Sequence, residues 1–208
     1  MKNILVTGGL GYIGSLTCKI LSEKGYKVTI VDNLMFKQNV ENIITKFNEV
    51  NFINGDVRDE TLMKKLIKDN DIIIPLAGIV GAPLCDKMPK ETMEINTGAV
   101  KYLSTVCSKD QLILMPVSNS GYGIGEKDKF CDENSPLKPV SLYGRSKVEA
   151  EKIIMERENS ISFRLATVFG VSSFRMRSDL MVNNFIYLAT KKEVFKLFEP
   201  NFRRNFVH

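Results

Sequence analysis

The chain has 208 residues, 44% of them hydrophobic and 25% charged, with a formal net charge of +5 at pH 7. That length and balance give one ordinary globular domain, or one with a small appendage, and argue against disorder or a disulfide-dependent mini-fold. No run approaches the roughly 20 apolar residues of a membrane span, the basic residues form no block suited to nucleic acid, and the single histidine, His208, excludes an internal histidine triad or metal cluster.

Met1–Val6 lead directly into a glycine-rich turn, so no signal peptide and a cytoplasmic setting are expected. Cys18, Cys85, Cys107 and Cys131 form no CxxC pair and read as reduced thiols. Short apolar runs at Asn3–Thr7, Lys27–Asp32, Asn51–Asn54, Asp71–Leu76, Gln111–Val117 and Ile161–Thr167 lack polar alternation, the pattern of parallel strands buried on both faces. Helical patterns alternate with them at Gly11–Lys24, Gln38–Phe47, Asp59–Asp69, Lys90–Ser108 and Leu142–Glu158. The alternation predicts an α/β fold, a doubly wound parallel sheet with helices on both faces. The tail reads as an amphipathic helix at Ser178–Lys192, a short strand at Val194–Phe198 and the start of another strand at Asn205–His208.

Between the first strand and helix lies Thr7-Gly8-Gly9-Leu10-Gly11-Tyr12-Ile13-Gly14. Gly8 permits a tight turn, Gly11 lets a pyrophosphate approach the backbone, and Gly14 lets the helix pack on the sheet. The helix N-terminus offers unpaired N–H groups to phosphate. Asp32 ends the second strand, placed to accept from ribose hydroxyls and repel a 2′-phosphate. It is followed by Asn33, Leu34 and Met35 with no arginine, which favours NAD over NADP. Asp56, in Gly55-Asp56-Val57, stands where an adenine amino group would be met, and Asp59 is expected to cap the third helix.

Tyr143 and Lys147 are four residues apart at the start of a helix, hence on one face. The Lys147 ammonium is expected to lower the phenol's pKa and make Tyr143 an acid/base near neutral pH. Ser118, at the end of the fifth strand, falls at the ligand crevice of a doubly wound sheet, where its hydroxyl can bond the same substrate oxygen.

Taken together, Gly8-x-x-Gly11-x-x-Gly14, Asp32-Asn33-Leu34, Gly55-Asp56-Val57, Leu76-Ala77-Gly78, Asn96, Ser118 with Tyr122-Gly123, Tyr143-x-x-x-Lys147, and Arg164 leading to Phe169-Gly170 resemble the extended short-chain dehydrogenase/reductase family, in its branch of nucleotide-sugar epimerases and dehydratases. The resemblance implies a 3-2-1-4-5-6 sheet and tight NAD binding. It implies contacts to the cofactor from Gly8, Gly11, Tyr12, Ile13, Asp32, Asn33, Asp56, Val57, Leu76, Ala77, Gly78, Asn96, Tyr143 and Lys147. Ser118, Tyr143 and Lys147 become the catalytic set, and the helices near 90–108 and 142–158 the homodimer interface. It divides the chain into a cofactor-binding Rossmann domain at 1–170 and, at 171–208, the start of a truncated substrate-binding domain.

Within that family, 4,6-dehydratases carry an Asp-Glu pair after the catalytic hydroxyl residue; this chain has Asn119 and Ser120. Ketoreductases that also epimerise often have Cys at the place of Ser120. The expectation is therefore an NAD-dependent C4 epimerase of a nucleotide-diphosphate hexose in surface polysaccharide synthesis. A 4,6-dehydratase or 4-keto reductase, and a non-catalytic NAD-binding protein, stay open. Thr167 replaces an Asn that contacts the sugar nucleotide in many members. Arg175 and Arg177 either neutralise a diphosphate or form a solvated loop, and Cys85 either faces the sugar or packs. Substrate contacts are thus expected from Ser118, Asn119, Ser120, Thr167, Arg175 and Arg177, with no metal.

Overall fold

The computed structural model describes residues 2–125, 129–194, 196–197, 201 and 203–208. Six parallel strands, β1 (Asn3–Thr7), β2 (Lys27–Asp32), β3 (Val50–Asn54), β4 (Ile72–Pro75), β5 (Leu112–Ser118) and β6 (Ser160–Leu165), form one sheet. Their order is β3-β2-β1-β4-β5-β6, the order expected from the resemblance. The chain reverses direction across the sheet between β1 and β4, which opens a crevice at the strand C-termini.

Alternation along the strands sends side chains into two apolar layers. On one face, Leu5, Val31, Ile73, Ile113 and Met115, all fully buried, pack with Met63 and Ile67 of α3 (Glu60–Lys68), Leu103 of α6 (Ala99–Val106) and Ile154 of α7 (Leu142–Met155). On the other, Ile4, Val6, Val28 and Ile30 pack with Cys18 of α1 (Tyr12–Glu23) and Ile43 of α2 (Val40–Ile44). Asp59 caps α3 as expected, accepting from Leu62 N at 3.0 Å, and Ser141 caps α7, accepting from Gly144 N at 3.0 Å.

Several boundaries differ from those expected. The second helix is only Val40–Ile44, fixed at its start by Asn39. The segment after β4, where no helix was expected, holds α4 (Ala82–Lys87), with a proline in its first turn. The helix expected over 90–108 is interrupted: α5 (Pro89–Met93) passes through a π-helical turn, Glu94–Gly98, into α6. That turn buries Ile95, Asn96 and Thr97, and the extra residue in the turn is accommodated because Thr97 Oγ1 bonds Ser146 O of α7 at 3.1 Å and Asn96 Nδ2 bonds Ser146 Oγ at 3.1 Å.

The last sheet strand ends at Leu165. Beyond Ala166, β7 (Thr167–Val168) leaves the sheet and pairs in parallel with β8 (Phe206–Val207). The tail helix is α8 (Met181–Thr190). The short strand expected at 194–198 falls partly outside the described residues; Val194, Lys196 and Leu197 belong to no strand. All four cysteines are free thiols, and only Cys131 is exposed. Among the described residues no helix is long and apolar enough to cross a membrane.

Candidate active site

The crevice has a cradle at one end and a polar cluster at the other. In the cradle, β1 turns at Gly8 with φ +66°, and a Cβ there would lie 2.6 Å from Ala77 N. Gly11 N bonds Gly8 O at 3.0 Å. Gly11 then stands at the N-cap of α1, with no side chain capping the helix. The first-turn N–H groups of Tyr12, Ile13 and Gly14 have no carbonyl one turn earlier. A Cβ on Gly14 would press into Gly8 O and lie 2.8 Å from Gly9 Cα. The turn is therefore held open and bare by backbone sterics, which fits a dinucleotide diphosphate.

Asp32 is buried at the end of β2, with Oδ2 accepting from Leu10 N at 3.1 Å and Oδ1 from Leu34 N at 2.9 Å. Both bonds leave lone pairs for ribose hydroxyls. Asn33 Nδ2 donates to Asp56 at 3.1 Å. Asp56 also accepts from Arg58 Nε at 2.9 Å and Nη2 at 2.8 Å, and Arg58 reaches on to Glu94 at 2.9 Å. The Arg58 hydrogen bonds hold the Asp56 carboxyl down at about 2. Val57 packs into the apolar layer behind it. Leu76 N bonds Thr7 O at 3.0 Å and Ala77 N bonds Thr7 Oγ1 at 3.3 Å, which pins the end of β4 against the end of β1.

At the other end, Ser118 Oγ donates to Ser120 Oγ at 3.0 Å and accepts from Ser120 N at 3.2 Å. The Ser118 hydroxyl lies close enough to the Tyr143 phenol to pull its pKa down. Lys147 is buried one turn further along α7, with its Nζ 3.3 Å from where a Gly78 Cβ would lie. Asn96, fully buried, accepts from Ile79 N at 2.8 Å and donates to Ile79 O at 2.9 Å. Its amide is thus committed to holding Gly78–Ile79 beside Lys147.

The electrostatics depart from expectation. Burial pushes the Tyr143 phenol above its ordinary value, outweighing the opposing pull of Ser118 and of the Arg177 charge. Burial likewise brings Lys147 down to about 8. The cation whose charge pulls the phenol down is Arg177, rather than Lys147 as the sequence suggested. A four-residue spacing fixes a shared face but says nothing of how deeply that face is buried.

The remaining expected residues are dispersed. Asn119 Nδ2 bonds Asn205 Oδ1 at 2.5 Å, and Thr167 N bonds Asn205 O at 3.2 Å. Arg177 pairs with Asp179 through Nε at 2.7 Å. Arg175 instead crosses to the cradle, its guanidinium 4.2 Å over the Phe36 ring. Cys85 is fully buried against Ile79 and Ile95, in a cluster that Tyr143 packs on and within electrostatic reach of Tyr143 and Lys147. The Tyr12 hydroxyl donates to Gly170 O at 2.6 Å and accepts from Asn183 Nδ2 at 3.1 Å; its side chain turns toward the tail while its N–H remains in the cradle.

Two features escaped the sequence reading. Glu151, buried, accepts from Arg164 Nε at 2.9 Å and Ser162 Oγ at 2.7 Å, tying α7 to β6. The signal was present: 143, 147 and 151 repeat at four-residue spacing along one face. Asn183, buried in α8, had no such signal.

The family model for the NAD dependent epimerase/dehydratase family matches residues 4–208. The chain belongs to that family. It is 36% identical over 154 residues to a putative UDP-glucose 4-epimerase of Methanocaldococcus jannaschii, covering 73% of this chain and 49% of the relative. It is 27% identical over 175 residues to an inverting UDP-N-acetylglucosamine 4,6-dehydratase of Campylobacter jejuni, covering 83% of this chain and 48% of the relative. Among solved structures, the UDP-N-acetylglucosamine 4-epimerase of Methanobrevibacter ruminantium superposes with a TM-score of 0.82 at 26% identity, over 99% of this chain and 68% of that one. The chain thus spans about half the length of these two curated relatives.

Proposed function

We propose that the chain carries the cofactor and catalytic parts of an NAD-dependent C4 epimerase acting on a nucleotide-diphosphate hexose. The observation that carries this reading is the convergence of the Ser118 hydroxyl on the Tyr143 phenol at the mouth of β5, with Lys147 one turn beyond and no acidic pair at 119–120. Gly8, Gly11, Asp32, Asp56 and the bare first turn of α1 would hold the dinucleotide, and Gly78, without a Cβ, lets Asn96 and Lys147 close on the chain after β4. Bound NAD would supply reversible hydride transfer at the sugar carbon.

The protein's own residues manage the proton. Ser118 holds the sugar hydroxyl by a hydrogen bond, and Tyr143 takes and returns its proton. Because burial holds the phenol high, positive charge is needed to make it a base near neutral pH. Arg177 supplies such charge from the protein, with Lys147 buried one turn further along α7. Dehydration needs further proton carriers, and Asn119 and Ser120 do not ionise usefully near pH 7; Asn119 is also bonded to Asn205. Residues 171–208 are read as the first part of the substrate-binding portion, α5–α6 and α7 as the homodimer interface, and surface polysaccharide synthesis as the setting.

The test is incubation with NAD and UDP-hexoses, reading C4 configuration by NMR. Interconversion without net NADH supports epimerisation; a 4-keto-6-deoxy product would replace it with dehydration. Tyr143→Phe should lower turnover by about 10²–10⁴-fold, the usual contribution of a general acid/base, with NAD affinity nearly unchanged. Turnover that survives this substitution would refute the assignment of Tyr143.

A further inference from the structure

The segment 169–183 crosses back from the end of the sheet over the glycine-rich turn, and its ties are specific. The Tyr12 hydroxyl donates to Gly170 O at 2.6 Å. Asn183, 4% exposed, accepts from Gly170 N at 3.0 Å and donates to Arg177 O at 2.9 Å and to the Tyr12 hydroxyl at 3.1 Å. Both ends of the segment therefore close on a residue inside the glycine motif. Between them, Ser172 Oγ accepts from Arg175 N at 3.2 Å, and Phe174 packs edge-on to Phe47 at 5.4 Å.

These ties deliver one guanidinium to the cradle. Arg175 Nη1 lies 4.0 Å from where a Gly11 Cβ would stand, and the guanidinium stacks 4.2 Å over Phe36, four residues past Asp32. Both neighbours belong to the cofactor end of the crevice. The charge is half-buried, and among the described residues no carboxylate lies within ion-pair distance of it. Asp32 and Asp179 are close enough for their charges to be felt, but Asp179 is paired with Arg177 and Asp32 lies beyond ion-pair distance. An unpaired, half-buried arginine is costly unless an anion completes it.

We propose that Arg175 is a cofactor-positioning residue: with the bare first turn of α1 it forms the second wall of a site for the dinucleotide diphosphate, and the 169–183 strap is the device that holds it there. This rests on the NAD reading above and moves Arg175 from the substrate's diphosphate to the cofactor's. The α1 turn offers N–H groups to one phosphate, and the planar guanidinium offers paired donors to the other. A strap latched over the diphosphate also predicts slow cofactor release.

The test is calorimetric binding to the purified 208-residue chain of NAD, ADP, adenosine, NADP and UDP, with thermal melts as a check on folding. Arg175→Met should weaken NAD and ADP alike by about 10–100-fold, the worth of a charge-assisted hydrogen bond, speed NAD release, and leave adenosine unchanged. Arg175→Lys, which keeps the charge without the fork, should lose less. Asn183→Ala should weaken NAD in the Arg175 background and add little in the Arg175→Met background. Unchanged NAD affinity in Arg175→Met overturns the proposal. So does a loss confined to NADP, which would assign Arg175 to a 2′-phosphate, or one confined to UDP, which would return it to the substrate. A wild-type chain that binds no NAD overturns this proposal and the NAD reading together, whereas one that binds it regardless of Arg175 overturns this proposal alone.

Discussion

The glycine-rich turn and the strap above it border the same crevice by opposite means. The turn is shaped by what is missing: bare backbone at Gly8, Gly11 and Gly14, with neighbouring backbone so close that a Cβ at 8 or 14 has no place to go. The strap is shaped by side chains recruited across more than 150 positions, with Tyr12 meeting Gly170 and Asn183. A steric device of the first kind fails abruptly when altered. A hydrogen-bonded device of the second kind loosens by degrees.

The sharpest way to break this contrast is Gly14→Ala. The added Cβ meets Gly8 O and Gly9 Cα, both backbone, so β1 and α1 must separate. A loss of at least ~3 kcal/mol is expected, a large share of a typical domain's 5–15 kcal/mol, seen as a fall in the urea midpoint. Gly25→Ala is the companion: its φ is +84° but the space is open, so only the backbone cost of about 1–2 kcal/mol should appear. Equal losses at the two positions would deny the turn its special status.

The same contrast explains what could be read from the chain. The inner strands β1, β2 and β4 were legible because burial on both faces writes them as apolar runs, whereas the edge strands β3 and β6 keep exposed positions; the cradle was legible because its geometry needs glycine at set intervals. Ser118, Tyr143 and Lys147 were legible as strand-end and helix-spacing signals. The π turn at Glu94–Gly98 was not, since it follows from Asn96 and Thr97 bonding to α7, which no local pattern encodes. The depth of α7 was not legible either, and that depth reverses the expected shift of Tyr143. Arg175 read only as one of two arginines that either meet the substrate's diphosphate or lie in a solvated loop; that it reaches the cradle follows from the fold.

Lys147 offers an intermediate test, because its burial is a cost that the fold tolerates. Its folded pKa of about 8 lies below the 10.5 of an exposed lysine. Between those values the unfolded chain binds more protons, so this residue makes the protein more stable as pH rises from about 8 to 10.5. Lys147→Met removes the buried ammonium. At pH 7 the variant should be more stable than the wild type by up to about 3 kcal/mol, from 1.36 kcal/mol per pKa unit. The wild-type minus variant difference should shrink through the pH 8–10.5 window, which separates Lys147 from cysteines and tyrosines titrating nearby. The variant should also lose turnover. A variant that is destabilised at pH 7 would mean that the ammonium is paid for by partners, and Tyr143 would then have a closer cation than Arg177.

The smallest expected effect lies at the outer wall of the cofactor end, where Asp56, Arg58 and Glu94 form a partly exposed ion network. Here neither backbone sterics nor burial acts; solvent screens the charges, and such pairs contribute about 0–1 kcal/mol. Arg58→Met should therefore barely move the urea midpoint at pH 7. Its effect should appear in titration instead. Asp56, held at about 2 by Arg58, should return toward the ordinary carboxylate range, read from its side-chain carbonyl shift by NMR. The sign follows: a depressed carboxylate adds stability above its unfolded pKa and loses it as pH falls toward 2, so the wild type and variant should converge in acid. Asn33, which also donates to Asp56, keeps part of the depression in the variant. If Arg58→Met instead destabilised the chain as Gly14→Ala does, the outer wall would be as rigid as the cradle, and the cofactor end would be one preformed socket rather than a fixed turn flanked by adjustable side chains.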